Sequence, residues 1–285
     1  MSESKPRVAI VADSTCDLPA DLVQANGIHV VPLNLIMGDK TWRDGVDIDP
    51  PTFYKLLETS PDFPSTSQPN VAAFQSLFTE LAQDFDGIAA VMISSDLSGT
   101  YESAQLAAEN LPDVPIEVID TRAVTASLGL IVLAAARAAA EGQDLASVAG
   151  VVRGLIDKVR IYFVVDTLEY LHRGGRIGSA AKLLGSVLNM KPILAIEKGV
   201  VVPLSRVRTK KKALATVEEM VQEHVSPDSR VHLNVFHVAA PDAAVAFGET
   251  LQGQLHPVEM VHSECGPVIG THVGPGTVGV AFYVE

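Results

Sequence analysis

The feature that most constrains the fold is a regular alternation of short apolar strands and helices over the first half of the chain. The pattern predicts strands at residues 7–13, 28–37, 88–94 and 116–121. It predicts helices at residues 17–27, 49–60, 71–85 and 123–140, with a further helix that begins near residue 100. Such alternation is typical of a parallel sheet with helices on both faces. The first half is therefore expected to be a doubly wound α/β domain.

The pattern changes after about residue 155, where strands begin to follow one another. Strands are predicted at residues 161–166, 193–197, 200–207, 231–239, 258–265 and 278–285, and helices at 167–175, 179–190, 210–224 and 241–254. Lys198 and Gly199 separate two of these strands and predict a hairpin turn. A chain of 285 residues can form two cores. We expect an N-terminal parallel doubly wound α/β domain at residues 1–155 and a C-terminal α+β domain with a mostly antiparallel sheet at 156–285, packed tightly together.

Charge and hydropathy exclude several classes of function. The formal net charge of −13 disfavours binding to nucleic acid or to an anionic membrane surface. Apolar residues make up 47% of the chain, and this content can form a thick core or line an apolar cavity. The most apolar stretch, residues 123–140, contains Gly129 and Arg137, so it predicts a buried helix rather than a membrane span. We expect no nucleic-acid partner and no stable membrane insertion.

The two cysteines, Cys16 and Cys265, lie far apart and in no metal-ligand spacing, so no zinc site is expected. The polar first residues lead directly into a strand, which predicts no signal peptide, a cytoplasmic location and free thiols. Cys16 has no histidine near it in the sequence, which favours a structural role. Asp13 and Asp17 flank Cys16 and are expected to cap a turn and the next helix rather than to act as paired catalytic carboxylates.

Two segments are rich in neutral hydrogen-bond donors, and each precedes a helix. Residues 91–104 read VMISSDLSGTYESA, which places Ser98, Gly99 and Thr100 at a helix start. Residues 65–70 read STSQPN, which places Thr66 before the next helix. Unpaired N–H groups at a helix start bind carboxylate or phosphate readily, although Ser98 or Thr100 could instead simply cap its own helix. We expect both segments at the carboxyl edge of the parallel sheet, where open α/β sheets bind ligands.

Three further segments carry charge. Residues 172–178, HRGGRIG, place Arg173 and Arg176 around a glycine pair that ends a helix, where basic residues can also simply be solvated. Residues 270–276, GTHVGPG, place His272 in a turn before the last strand, as either a structural or a functional residue.

The third charged segment, residues 206–212, reads RVRTKKK and is either a solvated helix start or a docking surface for an acidic partner. The common nucleotide-binding, metalloprotease and nucleophile-elbow motifs are absent from the sequence. The usual signatures of an enzyme are therefore missing.

Six segments, in this order, resemble those of DegV-family proteins. They are DSTCDLP at 13–19, TSQP at 66–69, SSDLSGTYESA at 94–104, LEYLHRGGRIG at 168–178, KPIL with RVRTKKKAL at 191–214, and GTHVGPGTVGV at 270–280. The resemblance covers nearly the whole chain. It implies a two-domain cytoplasmic protein that holds one long-chain fatty acid in a buried tunnel between its domains. It further implies that the protein presents the fatty-acid carboxylate to a separate ATP-dependent fatty acid kinase subunit and then carries the acyl phosphate.

The resemblance also implies roles for individual residues. Thr66 and Ser98, with the amide of Gly99, would bind the carboxylate. Arg176 and His272 would contact the head group or the new phosphate. No metal and no cofactor other than the bound fatty acid are implied, and the protein would be a carrier without turnover of its own.

Three basic residues, Arg173, Arg206 and Arg208, would meet the kinase subunit. Cys16 and Asn70 stand where alanine and serine are frequent in the family, and neither is expected to bind the carboxylate. An alternative function remains open. The protein could be an enzyme that acts on a small anionic substrate, with His272 as general acid or base and Arg176 as oxyanion stabiliser.

Overall fold

A computed structural model of the chain describes residues 7–185, 190–226 and 228–285. The N-terminal part contains β1 (Val8–Asp13), α1 (Ala20–Ala25), β2 (Ile28–Val31), β3 (Asn34–Met37), β4 (Lys40–Arg43), α2 (Pro50–Thr59), β5 (Ser65–Ser67), α3 (Val71–Leu81), β6 (Gly87–Met92), α4 (Thr100–Glu109), β7 (Ile116–Asp120), α5 (Ala126–Ala140) and α6 (Leu145–Ile156). The C-terminal part contains β8 (Arg160–Val164), α7 (Glu169–Arg173), β9 (Lys191–Glu197), β10 (Val200–Val207), α8 (Lys210–Gln222), β11 (Val231–His237), α9 (Pro241–Leu255), β12 (Glu259–Glu264), α10 (Pro267–Val273) and β13 (Val278–Val284). Within these residues, no helix has both the length and the apolar character that are needed to cross a bilayer.

The strands β2, β1, β6 and β7 form a four-stranded parallel sheet in that order. Every residue of β1 and β6 is buried because helices cover both faces. Residues of α3 and α4 pack on one face, and residues of α5 and α6 pack on the other. The doubly wound sheet predicted for the first half is confirmed. The carboxyl ends of β1, β6 and β7 share one edge, so the loops that follow Asp13, Met92 and Asp120 lie together.

The prediction of a single strand at residues 28–37 is wrong. The segment forms two strands, β2 and β3, which belong to different sheets. Pro32 lies between them, and because proline has no N–H to give to a neighbouring strand, it ends the first strand. The next residue, Leu33, donates its N–H to Ser14 Oγ at 3.1 Å instead. β3 then pairs antiparallel with β4 and β5 in a separate three-stranded sheet.

This three-stranded sheet also corrects the position of residues 65–70. Thr66 lies in β5, where it pairs with Leu35, and not in a loop at the carboxyl edge of the parallel sheet. Asn70 caps α3, since its side chain accepts the N–H of Ala73 at 2.9 Å. Strand β5 is too short for its alternation to be recognised in the sequence, because three residues show barely one repeat.

The C-terminal half forms a six-stranded sheet in the order β10-β9-β8-β13-β11-β12. Its neighbouring strands are antiparallel except for the parallel pair β11–β12, which confirms a mostly antiparallel sheet. β9 and β10 form the predicted hairpin. Its turn residues, Lys198 (φ +50°) and Gly199 (φ +85°), both take the left-handed conformation that a two-residue type I′ turn requires.

Two predicted local structures differ from those observed. In place of the helix predicted at residues 179–190, the chain forms a 3₁₀ helix at Gly178–Leu183, and residues 186–189 lie outside the described residues. The turn predicted at residues 270–276 contains the last residues of α10, so His272 is helical. A helix of seven residues makes only two turns, which is too short for a clear helical period in the sequence.

The predicted buried helix at residues 123–140 is confirmed as α5. Nearly all of its residues are buried, and its many alanines allow other elements to approach closely. α5 contacts β1 and β6 on one side and β8, β11 and β13 on the other. It therefore joins the parallel sheet to the six-stranded sheet. A boundary between residues 155 and 156 would fall in the last turn of α6.

Candidate ligand-binding site

A cavity of about 790 Å³, counted out to its mouth, lies between the three sheets. Its polar lining consists of Thr15, Thr66, Ser67, Gln68, Ser98, Thr125, Arg176 and His272. The rest of its lining is aliphatic or phenylalanine. The cavity can therefore hold a largely apolar ligand that has a few polar atoms.

The first polar contact in the cavity joins β5 to α10, because His272 Nε2 lies 2.8 Å from Thr66 Oγ1. Burial and, to a smaller extent, the Arg176 charge lower the pKa of His272 to about 4, so the imidazole is neutral near pH 7. Among the described residues, His272 Nδ1 has no hydrogen-bond partner, and it packs against Gly174. We assign the proton to Nε2, because an orphaned buried acceptor is more common than an orphaned donor. The Thr66 hydroxyl can then donate its own proton to a ligand.

The second polar contact gives Ser98 a similar arrangement. Its Oγ lies 2.8 Å from the hydroxyl oxygen of Thr100, which is fully buried in the first turn of α4. When Thr100 donates to Ser98, the Ser98 proton is available to a ligand. Gly99 is the N-cap of α4, so the helix starts without a side-chain cap. A Cβ at this glycine would lie 2.5 Å from Gln68 Nε2, so Gly99 leaves room for the Gln68 amide beside the helix start.

Arg176 enters the cavity from the turn after α7. Its Nε donates to Leu97 O at 3.1 Å, and its Nη1 donates to Gly174 O at 2.8 Å. Gly175 has φ +71°, which permits the tight reversal that ends α7, as the glycine pair predicts. Two of the five guanidinium N–H groups are thus fixed on backbone carbonyls, and the others remain for an anion.

Two threonines in the wall differ because buried carboxylates already accept their hydroxyl protons. Thr15 donates both its N–H and its hydroxyl to Asp13 Oδ1. Thr125 donates its hydroxyl to Asp17 Oδ2 at 2.6 Å. Burial raises the pKa of Asp17, while the hydrogen bond from Thr125, which favours the charged form, opposes that rise. Neither threonine has a hydroxyl proton left for a ligand, so this part of the wall is effectively apolar.

The six-stranded sheet supplies much of the apolar wall. Ile161 and Phe163 in β8 face the cavity, whereas Tyr162 and Val164 between and beyond them pack into the separate core under α8. This division follows from the two-residue period of a strand. Ile196 from β9, Val201 from β10 and Phe236 from β11 extend the same apolar surface.

Four of the predicted site residues meet at this cavity. They are Thr66, Ser98, Arg176 and His272. Gly99 lies beside the lining, where it contacts Gln68. The structure thus brings together residues that are more than 200 positions apart, since Thr66 and His272 are separated by 206 positions.

The three arginines predicted to meet a partner lie outside this cavity and are exposed. Arg173 stacks 3.7 Å above the ring centre of Phe63 and pairs with Glu169 at 3.4 Å. Arg206 lies near the end of β10, and Arg208 follows that strand. Their assignment to a docking surface remains a prediction.

The apolar wall of the cavity could not be predicted from the sequence. Ile161, Phe163 and Phe236 are apolar residues in strands that are apolar on both faces, so no periodic signal separates the cavity face from the core face. The sequence predicts only a buried helix around Thr125, and it predicts for Asp17 only a role in capping a turn and the next helix. The sequence contains no signal that Thr125 and Asp17 contact each other, because 108 positions separate them.

Cys16 and Cys265 are buried free thiols. Burial raises the pKa of both thiols, which keeps them protonated. Within the described residues, no group of three or more His, Cys, Asp and Glu side chains is placed to hold a metal ion.

The sequence model of the DegV family, described as a family of uncharacterised proteins, matches residues 7–285. The chain belongs to the DegV family. A DegV domain-containing protein of Clostridium perfringens is 38% identical over 282 residues, which cover 98% of this chain and 99% of that protein. Protein DegV of Bacillus subtilis is 32% identical over 278 residues, which cover 96% and 98% of the two chains.

Solved structures of DegV-family proteins share the fold. A fatty-acid-binding DegV-family protein from Thermus thermophilus has a TM-score of 0.93 and 36% identity, over 98% of this chain and 100% of that one. DegV of Bacillus subtilis, also a fatty-acid-binding protein, has a TM-score of 0.91 and 31% identity, with the same coverage. A stearic-acid-binding protein from Eubacterium ventriosum has a TM-score of 0.87 and 26% identity, over 97% and 98% of the two chains.

Proposed function

We propose that this DegV-family protein binds one long-chain fatty acid in the cavity. The carboxylate would contact Thr66, Ser98 and the amide of Gly99, and the tail would lie along the apolar wall. The observation that carries the proposal is the pair of hydroxyls, each backed by a second donor, at the edge of an otherwise apolar cavity. Fatty-acid binding by the solved relatives supports it. Arg176 and the neutral His272 would flank the head group or, after phosphoryl transfer, the phosphate.

The tail and the head group would contribute differently to affinity. A tail of about 14 methylenes at about 0.8 kcal/mol each gives an upper bound near ~11 kcal/mol from burial. A hydrogen bond to a charged group contributes only about 1.5–3 kcal/mol. The apolar wall would therefore set most of the affinity, and the two hydroxyls would orient the carboxylate.

The proposal extends to a partner. The protein would be a cytoplasmic carrier that presents the carboxylate to a separate ATP-dependent fatty acid kinase subunit and then holds the acyl phosphate. Neutral hydroxyl donors support this role, because a carboxylate oxygen that is held by hydroxyls keeps more of its nucleophilicity toward a phosphoryl group than one held in an ion pair. Arg173, Arg206 and Arg208 are exposed cations that would meet the kinase subunit.

Both halves of the chain would contribute to the binding site. Residues 1–155 would carry the carboxylate-binding groups, which include Thr66 and Ser98, and residues 156–285 would close over the lipid. Arg176 and His272, which line the same cavity, come from the second half.

Lipid extraction tests the binding proposal. The purified protein is denatured and extracted with solvent, and the extract is examined by mass spectrometry. We expect about one fatty acid per protein chain. An extract without any acyl species, even after incubation of the protein with fatty acids, would contradict the proposed binding.

Reconstitution with a fatty acid kinase subunit and radiolabelled ATP tests the carrier role. We expect acyl phosphate only when both proteins are present. Arg176→Ala and His272→Ala should lower its yield more than they lower lipid binding, since the added charge appears only when the phosphoryl group arrives. Unchanged yields in both variants would remove these residues from the site.

An enzyme that acts on a small anionic substrate remains the alternative function, because the Thr66–His272 contact has the spacing of a nucleophile and its base. Two observations disfavour it. Among the described residues, none orients His272 through Nδ1, and a pKa of about 4 makes the imidazole a weak base near pH 7. Acyl phosphate formation or hydrolysis by the protein alone would support the enzyme instead.

A further inference from the structure

The short helix α10 carries His272 and three further residues of the cavity wall, so its position decides the geometry of the site. Its N-cap is Gly266, whose N–H is donated to Asp17 Oδ1 at 2.8 Å. Asp17 lies in the loop after β1, at the carboxyl edge of the parallel sheet. A buried carboxylate from the first half of the chain thus holds the start of a helix from the second half.

The other oxygen of Asp17 holds a third segment. Oδ2 accepts the hydroxyl of Thr125, the N-cap of α5, whose side chain lines the cavity. Asp17 and Thr125 have φ values of +47° and +49°, which are unusual for residues with side chains and persist only where the surroundings hold them. One carboxylate therefore fixes the loop after β1, the start of α5 and the start of α10 relative to one another.

A second buried carboxylate lies at the same helix start. Asp44 Oδ2 accepts the hydroxyl of Ser14 at 2.7 Å, and the backbone N–H of Val268, in the first turn of α10, also stabilises the charged form of Asp44 and opposes the rise in its pKa that burial causes. A Cβ on Gly266 would lie 3.0 Å from Asp44 Oδ1 and 3.3 Å from Asp17 Oδ1. Glycine at this position lets both carboxylates approach the start of α10, where the helix dipole favours negative charge.

Other contacts also hold α10. A Cβ on Gly270 would lie 2.6 Å from the ring of Tyr54, and the side chains of Val268 and Ile269 are buried. Tyr54 Oη donates to Cys265 O at 2.5 Å, just before the helix, and lies 3.4 Å from Gly266 O. The hydrogen bond from the Gly266 N–H to Asp17 is thus one of the directional contacts at the start of α10, and it is the one that also joins this helix to the start of α5.

We propose that Asp17 is a positioning residue that, by holding the start of α10, fixes the His272–Thr66 contact and so the preference of the site for a carboxylate. Asp17 is not part of the cavity lining, so it acts through the lining residues whose segments it holds, Thr125 directly and His272 through the start of α10. The inference rests on the proposed fatty-acid function. It assigns head-group selectivity to Asp17, which holds Gly266. Gly266 lies six positions before His272 in the chain.

The test compares two ligands that share one tail, palmitic acid and cetyl alcohol. Each displaces a fluorescent fatty acid from the full-length protein. The dissociation constant of cetyl alcohol divided by that of palmitic acid is the ratio that reports selectivity for the carboxylate. Asp17→Ala should lower this ratio about tenfold, the effect expected for one misplaced hydrogen bond to a charged group. Asp17→Asn keeps an oxygen that can accept the Gly266 N–H and should restore most of the ratio.

Two further variants separate positioning from simple loss of stability. In a His272→Ala background, Asp17→Ala should produce no additional fall in the ratio, because the pathway through His272 is already absent. Val217→Ala removes buried volume in the core under α8, away from the cavity, and should lower stability without changing the ratio. If Asp17→Ala does not fold, Gly266→Ala provides the same test. Its φ of −67° accepts alanine, while the new Cβ displaces the helix start from both carboxylates.

The outcomes are distinct. An unchanged ratio in folded Asp17→Ala or Gly266→Ala overturns the inference and leaves the fatty-acid function standing. An equal fall in the ratio with and without His272 overturns the pathway through His272. A parent protein that binds neither palmitic acid nor cetyl alcohol contradicts the proposed function itself.

Discussion

Two pairs of hydroxyl side chains in the cavity wall have opposite partners. Thr66 and Ser98 contact groups that can donate to them, a neutral imidazole and a second hydroxyl. Thr15 and Thr125 contact carboxylates, which accept their protons. The first pair can therefore offer protons to an anion, whereas the second pair presents no available donor.

The hydrogen-bonding capacity of this cavity wall depends on the residues behind it. All four side chains are hydroxyls. The second residue in each contact decides whether the hydroxyl binds a head group or borders a tail. This division would give the cavity one end for a carboxylate and a long surface for an acyl chain.

The largest expected effect comes from placing a charge on the apolar surface. Ile196→Glu should abolish co-purification of fatty acid, because burying an unpaired carboxylate beside the tail costs several kcal/mol. This cost is roughly the whole binding free energy of a ligand of moderate affinity. Lipid extraction and mass spectrometry measure the loss. Leu204→Glu, on a half-buried residue of β10 that does not line the cavity, is the matched control. Fatty acid retained in Ile196→Glu would mean that the tail lies elsewhere.

A smaller effect tests the two pairs directly. Thr66→Ala and Ser98→Ala should each speed the release of a fatty acid about tenfold while leaving the fold intact, since one hydrogen bond to a charged head group is lost. Thr15→Val removes a hydroxyl of the other pair at constant shape. It should leave the release rate unchanged and lower the free energy of unfolding by about 1.5–3 kcal/mol, because a buried hydrogen bond to the Asp13 carboxylate is lost.

Stopped-flow transfer of a fluorescent fatty acid to vesicles measures these rates. Faster release in Thr15→Val, or parent-like release in both Thr66→Ala and Ser98→Ala, would contradict the division of the hydroxyls into two pairs.

A third expected effect concerns pH. His272 has a folded pKa of about 4, against an ordinary value of 6.5, because burial and Arg176 disfavour its charged form. Between these values the unfolded chain binds a proton that the folded protein does not. The stability that comes from neutral His272 is therefore present above pH 6.5 and is lost as the pH falls toward 4.

Urea denaturation across this interval measures the effect. The free energy of unfolding should decrease more steeply on acidification for the parent than for His272→Gln. Parallel curves would show that His272 titrates in the folded protein as it does in the unfolded chain.

Much of the fold could be predicted from the sequence because long alternating segments carry their own signal. The parallel sheet, the hairpin at Lys198–Gly199 and the buried helix α5 are all confirmed. Short elements could not be predicted so well. The three-residue strand β5 and the two-turn helix α10 are held by contacts with distant elements rather than by local periodicity.

The candidate site shows the same limit. Thr66, Ser98, Arg176 and His272 could be singled out because polar or charged residues stand near helix ends and glycines. The pairing of Thr66 with His272 could not, since it depends on β5 joining a sheet that the sequence does not reveal. The contacts of Asp17 with Thr125 and Gly266 were equally hidden, because all three residues come from separate parts of the chain.

The most direct test of the account is carbon-13 NMR of the protein loaded with a fatty acid that is labelled at its carboxyl carbon. The account predicts one bound carboxyl resonance. This resonance should shift in Thr66→Ala and in Ser98→Ala and stay in place in Thr15→Val, because only the first two hydroxyls contact the carboxylate. A resonance that moves in Thr15→Val and stays fixed in the other two variants would place the carboxylate beside Thr15 and contradict the account.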